Sequence, residues 1–418
     1  MTADEIDRLK RVCQTIYDLS KSIRVLTQIS WPLQVRHEFF ANQAQQIPRV
    51  DYAPFEASDL LFRMDRLRHE LAFDADINEW LESILVRLEI SARMLSYCGT
   101  FEFFSYSSQL YGTPRTELQD ESNNSLDLAK LFDSLFNDLC KVDMGAPENA
   151  IISSDELAEQ MASAALQMFG DEAPEVQIVD QLSANALAGP YRIRIRRDAK
   201  FTDRDVHQLI HHESHVHVLT SLNGINQPIL KVLGTAHPGT TRTQEGLAVF
   251  AEFITGSMDI ERFRRLADRV IAIEMAINGA DFLDIYQYFL QRTDDPIQSF
   301  ESSRRVFRGG LVTGGAPFTK DILYLDGLLR VHNFLRTAVS ANRADCIRLL
   351  FCGKLDIEDL PVLTRLTKLG VCSAPKYLPT WAKDMRFLVC YLAYSLMLNR
   401  FDLSQVRKHY YELLENLA

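Results

Sequence analysis

Long apolar runs are missing from this sequence. The longest, residues 387–398, has twelve residues; about 20 are needed to cross a bilayer, so a buried helix is expected there and no membrane partner. Residues 1–7 are acidic and contain no apolar segment, so no signal peptide is expected. Paired cysteines are missing as well: Cys13, Cys98, Cys140, Cys346, Cys352, Cys372 and Cys390 are odd in number, scattered, and nowhere spaced as metal hooks. That pattern excludes a disulfide framework and predicts reduced thiols in a cytoplasmic protein. Positive charge is in deficit, with 45 Lys and Arg against 56 Asp and Glu and a net charge of -11. Nucleic-acid binding needs clustered cations for phosphate contacts, so nucleic acid is not an expected partner. No internal repeat or low-complexity tract stands out, and nothing speaks to oligomeric state. What remains is a chain of 418 residues, 47% hydrophobic and 24% charged, with material for one large core or two moderate ones.

Against that plain background one stretch is dense in chemistry: Ile210-His211-His212-Glu213-Ser214-His215-Val216-His217-Val218-Leu219. Four histidines and a glutamate in seven positions, flanked by apolar residues, point to a bound metal. The common zinc-peptidase pattern sets two histidines four apart on one helix face, with a glutamate directly after the first. Here the histidine that closes the pattern, His217, is five positions after His212. Five steps of about 100° turn a regular α-helix by roughly 140°, so the two imidazoles diverge. A local widening to i→i+5 hydrogen bonding would bring them together, and such π-bulges occur mostly at functional sites. Either the helix is widened or His217 is not a ligand. The rival pair, His211 and His215, is four apart and continues a stripe from His207, but it turns Glu213 away from the metal. With His212 as ligand, Glu213 can take a proton from metal-activated water, so the chemistry favours His212 and His217.

A third ligand is expected within a few tens of residues, and Thr241-Arg242-Thr243-Gln244-Glu245-Gly246-Leu247-Ala248-Val249-Phe250-Ala251-Glu252 offers one. Thr241 and Gln244 have the spacing of a capping box, which predicts a helix with Glu245 in its first turn and Glu252 two turns on along the same face. Two histidines and Glu245 would leave a fourth position open for water. Glu252 reads as a carboxylate that orients a ligand histidine from behind. His237 falls in the loop between the motifs.

His-Glu-x-x-x-His followed by Gln-Glu-Gly-Leu-Ala resembles the QEGLA-motif proteins, described in bacteria as flavohaemoglobin expression-modulating proteins, and their eukaryotic relatives, the microtubule-associated tyrosine carboxypeptidases. The resemblance runs from about Tyr191 to Val331, taking in Asn223-Gly224, Gln227-Pro228 and Phe318-Thr319-Lys320-Asp321-Ile322-Leu323-Tyr324-Leu325-Asp326-Gly327. It implies Zn2+ as cofactor, His212, His217 and Glu245 as its ligands and Glu213 as general base. This chain departs from the family in one place, having His215 where small or uncharged residues are usual. The resemblance further implies removal of a C-terminal residue from a peptide or protein. That chemistry needs a cation to fix the terminal carboxylate. Arg308 and Lys320 flank a glycine-rich tract, and Tyr324 lies one turn after Lys320, so these three are the expected substrate-binding residues. The plainer alternatives are that Lys320 opens a helix, that Tyr324 is core, and that Arg304, Arg305 and Arg308 only complement a helix dipole. The competing function class is a non-catalytic regulatory protein with a retained metal site; an intact Glu213 argues for catalysis, because a structural site has no need of a base.

Helical periodicity covers residues 4–29, 58–72, 77–98 and 125–141, so residues 1–145 are expected to form a helical N-terminal region. The boundary falls at Met144-Gly145-Ala146-Pro147-Glu148-Asn149. Beyond it Val176-Gln177-Ile178-Val179 and Tyr191-Arg192-Ile193-Arg194-Ile195-Arg196 read as strands, the second with a solvated arginine face. A helix capped at Thr202 or Asp203 then carries the histidines, and helices follow over 260–277, 281–292, 297–308 and 320–340. The expectation is an α+β, predominantly helical protein, with residues 146–418 forming a zincin-like metallopeptidase domain around a small sheet whose edge strand lines the cleft.

Overall fold

Apolar residues at helical spacing turn the first part of the chain into helices, each closed by a local signal. In the computed structural model, which describes residues 1–118, 122–139, 142, 150–180, 182, 184–398, 400 and 404–415, α1 (Ala3–Ser22) opens with a reciprocal cap between Thr2 and Glu5. The single helix expected over 4–29 breaks at Ile23 and resumes as α2 (Val25–Gln28). Next come α3 (Leu33–Ala41), α4 (Ser58–Arg68), α5 (Ala75–Ser96), α6 (Phe101–Tyr111), α7 (Ser125–Leu139) and α8 (Ser154–Phe169). α3 and α6 carried no clear sequence signal. The α6 sequence is rich in aromatics and serines, which are middling helix formers, and packing holds it: Phe103 is fully buried with its ring 5.7 Å from that of Phe318. The expected boundary at Met144–Asn149, the last two residues of the helix expected over 125–141, and Cys140 lie outside the described residues.

Three strands follow, β1 (Glu175–Val179), β2 (Ala186–Ala188) and β3 (Arg192–Arg196), in the order β1-β3-β2. β3 lies parallel to β1 and antiparallel to β2. Its alternation is that of a half-buried strand, Ile193 and Ile195 inward with Arg192 and Arg194 exposed. β2, the short edge strand, has three residues, too few for a periodic signal. The chain then runs through α9 (Asp203–Leu209), capped by Thr202 as expected, a π-helix (Ile210–Val218) and α10 (Leu219–Ile225).

α11 (Pro238–Ile254) corrects the expected capping box. It starts at Pro238 with His237 as its cap residue, because proline is pre-set for the first helical position. Glu245 therefore lies well inside the helix, and His237 is buried rather than in an open loop. α12 (Ile260–Ile277), α13 (Phe282–Thr293), α14 (Pro296–Phe307), a 3-10 turn (Lys320–Ile322) and α15 (Leu323–Ser340) follow, and further helices run to Ser404–Glu415. α11 and α15 touch backbone to backbone at Gly246 and Gly327: a Cβ on Gly246 would overlap the Gly327 carbonyl, and one on Gly327 would overlap the Arg242 carbonyl. One apolar cluster runs from Leu9 to Leu392, and within it Phe39 of α3 meets Phe282 of α13 and Phe300 of α14. Among the described residues no helix is long and apolar enough to cross a membrane.

Candidate metal centre

The five-residue spacing is resolved by the backbone. Residues 210–218 adopt i→i+5 geometry, and the widened turn brings the rings of His212 and His217 to 4.9 Å between centroids. From α11, Glu245 Oε2 stands 3.7 Å from His212 Nε2 and 3.5 Å from His217 Nε2. These three groups offer donor atoms within 4.8 Å of one another, the one such cluster among the described residues. Glu245 Oε2 is buried and has no hydrogen-bond partner. A buried carboxylate oxygen facing two imidazole nitrogens at more than hydrogen-bond distance fits a divalent cation between them.

Behind the centre, His212 Nδ1 donates to Glu252 Oε1 at 2.6 Å. Glu252 is fully buried and is held in turn by Arg262, with Nε and Nη2 each at 2.9 Å, and by Gln208 Nε2 at 2.8 Å. Burial opposes the charge on Glu252, but Arg262 and His212 outweigh it and hold its carboxyl well below the usual range. A charged Glu252 keeps the His212 proton on Nδ1 and leaves Nε2 as a donor to the centre. Glu213, next to His212, accepts from the backbone N–H of Ala188 at 3.0 Å, so the edge strand β2 pins one oxygen of this carboxylate. The rival pair stands apart from the cluster: His211 and His215 meet each other, Nδ1 to Nδ1, at 3.3 Å. Burial, then the nearby His211, pushes His215 down to about 4.

A second wall faces these groups and is made of cations. Lys320 Nζ donates to Glu245 Oε1 at 2.7 Å, so the ammonium expected to meet a substrate is engaged with the carboxylate of the centre. Burial opposes that carboxylate's charge, and Lys320 with the two histidines holds it well below its usual range. Arg305 Nε bonds Asp321 Oδ2 at 2.6 Å, and Arg308 Nη2 lies 3.6 Å from Asp321 Oδ1. These arginines do more than complement a helix end: they are ion-paired into the cleft wall. Arg305 also donates to the Tyr324 hydroxyl at 3.3 Å, and the Tyr324 ring is inclined by 23° to that of His212 with centroids 6.5 Å apart. Sequence reasoning missed Lys354, whose Nζ donates to the His217 carbonyl at 3.2 Å and Gln244 Oε1 at 3.3 Å. Burial, against the pull of Glu245 and Glu213, brings its ammonium down to about 8. Phe351-Cys352-Gly353-Lys354 has no pattern that would have drawn attention to it. Asp321, adjacent to Lys320, was within reach of the motif.

Both walls line a cavity of about 470 Å³ that holds His212, Glu213, His217, Glu245, Lys320 and Tyr324. A second cavity of about 510 Å³, lined among others by Tyr17, Leu88, Tyr111 and His237, shares Ala188, Thr241, Lys320 and Lys354 with it. Fold and site together define a predominantly helical α+β protein with a two-histidine, one-carboxylate donor cluster opening onto a cleft. The family model for microtubule-associated tyrosine carboxypeptidase matches residues 37–400, and the chain belongs to that family. It is a carboxypeptidase family, and its substrates are accordingly polypeptides. No curated protein gives a significant match.

Proposed function

We propose that the chain is a zinc-dependent metallopeptidase that removes a C-terminal residue from a peptide or protein in the cytoplasm, with residues 146–418 as a zincin-like catalytic domain and 1–145 as a helical region packed on it. The observation that carries this reading is the convergence of His212, His217 and Glu245 on the π turn, with Glu213 beside them. Two nitrogens and one carboxylate are the protein ligands of a catalytic rather than a structural zinc site, which keeps an open position. Zinc held there would supply Lewis acidity, polarising a carbonyl and making water a nucleophile near neutral pH. Glu213 is the proton carrier. Ala188 N–H fixes its Oε2, and the carboxylate accepts the proton of the attacking water and returns it to the leaving amine. Glu252 fixes the His212 ring, and Arg262 keeps Glu252 charged. The edge strand β2 offers backbone groups to an extended substrate, while Arg308, Lys320 and Tyr324, held in place by their own partners, line the cleft and orient it. The family name points to tyrosine as the residue removed.

The test separates two carboxylates. Glu213→Gln is expected to retain stoichiometric zinc and lose peptide hydrolysis by at least about 10²-fold. Glu245→Ala is expected to lose the metal itself, read by elemental analysis of the purified protein. Full activity in Glu213→Gln would sink the mechanism. A zinc loss in His211→Ala but not in His217→Ala would move the centre to the outer pair.

A further inference from the structure

Resting on that proposed function, we infer that Lys354 is the anion subsite of the cleft and takes the C-terminal carboxylate of the substrate. Other cations of this wall already have carboxylates: Lys320 has Glu245, Arg305 and Arg308 have Asp321, and Arg304 has Glu301. Lys354 forms no salt bridge among the described residues. Its Nζ is met by three uncharged oxygens, the His217 carbonyl at 3.2 Å, Gln244 Oε1 at 3.3 Å and Thr220 Oγ1 at 3.5 Å. The last two are at the long end of hydrogen bonding, where an ammonium exchanges partners readily for a charge-assisted bond to a carboxylate. A cation withdrawn from bulk water with only neutral partners is short of an anion, and the same unit of opposite charge interacts far more strongly there than at the surface.

Position supports the assignment. Lys354 is partly buried and lines both cavities, at their junction. Its segment is fixed, since Lys354 N–H donates to the Leu233 carbonyl at 2.7 Å and Gly353 lies so close to Leu233 that a Cβ would overlap it. The backbone that carries the ammonium is therefore held in place, and its Nζ bonds the backbone of one proposed metal ligand, His217. Charge points the same way. Lys320 offsets Glu245, Arg305 and Arg308 share Asp321, and Glu213 is the remaining carboxylate of the centre, so cations outnumber carboxylates here and a substrate carboxylate relieves that surplus. A peptide end anchored beside His217 would lie next to the proposed metal ligand, which is where an exopeptidase needs the chain to end.

The experiment uses the full chain carrying Glu213→Gln, loaded with zinc, and a fluorescein-labelled peptide ending in tyrosine, as free acid and as C-terminal amide. Anisotropy titration is expected to give about tenfold tighter binding of the acid, equivalent to about 1.4 kcal/mol. Adding Lys354→Met is expected to abolish that preference while leaving the amide affinity, zinc content and melting temperature unchanged; Lys354→Arg is expected to keep part of it. An acid preference that survives Lys354→Met, or passes to Arg308→Met, overturns the assignment and leaves the carboxypeptidase reading standing. Equal loss for acid and amide also overturns it, marking Lys354 as a structural tie for His217. No acid preference in the parent, or no binding of either form, overturns both.

Discussion

The two walls of the cleft are built on opposite principles. The metal wall is short-range and dedicated: His212, Glu213 and His217 share one π turn, and Glu245 and Glu252 share α11, so each group has one position and one partner set. The cation wall is gathered from α14, the 3-10 turn before α15, α15 itself and the segment around Lys354, and its charges buffer one another through Asp321 and Glu245. Loss of one group from the first wall is expected to cost the most, since no neighbour repeats its contacts. Loss of one ion-paired group from the second redistributes charge among those that remain, and the effect is graded; Lys354, which pairs with no carboxylate among the described residues, is the exception.

The sharpest way to break the contrast is to part the walls. Gly327→Ala puts a Cβ into the Arg242 carbonyl and against the Gly246 backbone, none of which can yield as a side-chain tip would. We expect a loss of about 3 kcal/mol in unfolding free energy, seen as a lower urea midpoint, together with loss of activity as Lys320 leaves Glu245. An unchanged midpoint would mean the two helices do not depend on that contact. Within the metal wall, Glu252→Gln keeps the shape but removes the charge that fixes His212 and pairs with Arg262. Zinc affinity, measured by competition with a chelator, is expected to fall about 10–100-fold, and a smaller change would show that His212 is oriented without it. The mildest change falls on the cation wall. Tyr324→Phe removes one hydrogen bond from Arg305 and is expected to lower kcat/KM by roughly two- to tenfold, the range of a single hydrogen bond. A loss above about 10²-fold would give the Tyr324 hydroxyl a direct part in the chemistry and erase the difference between the walls.

What the sequence determined by itself is the local geometry of the first wall. A five-residue gap between His212 and His217 can serve one centre on a widened helix alone, so the motif carried its own backbone distortion, and the π-helix at 210–218 agrees. The histidine–carboxylate contact of Glu252 and the cap at Thr202 were legible for the same reason, since both follow from spacing along one helix or from the chemistry of a motif. Even there the reading slipped where two local signals competed: Thr241 and Gln244 looked like a cap, but Pro238 had already started the helix. Tertiary structure alone decided the rest. The three residues of β2 gain their strand from pairing with β3, and through Ala188 they hold Glu213. Arg262 becomes the partner of Glu252 because the turn after α11 brings the first turn of α12 beside it, and Lys354 reaches His217 across 137 positions. A charge has no period and no cap signature; its meaning depends on which opposite charge it ends beside, and for Lys320 and Glu245 the close packing of α11 on α15 through two glycines settles that.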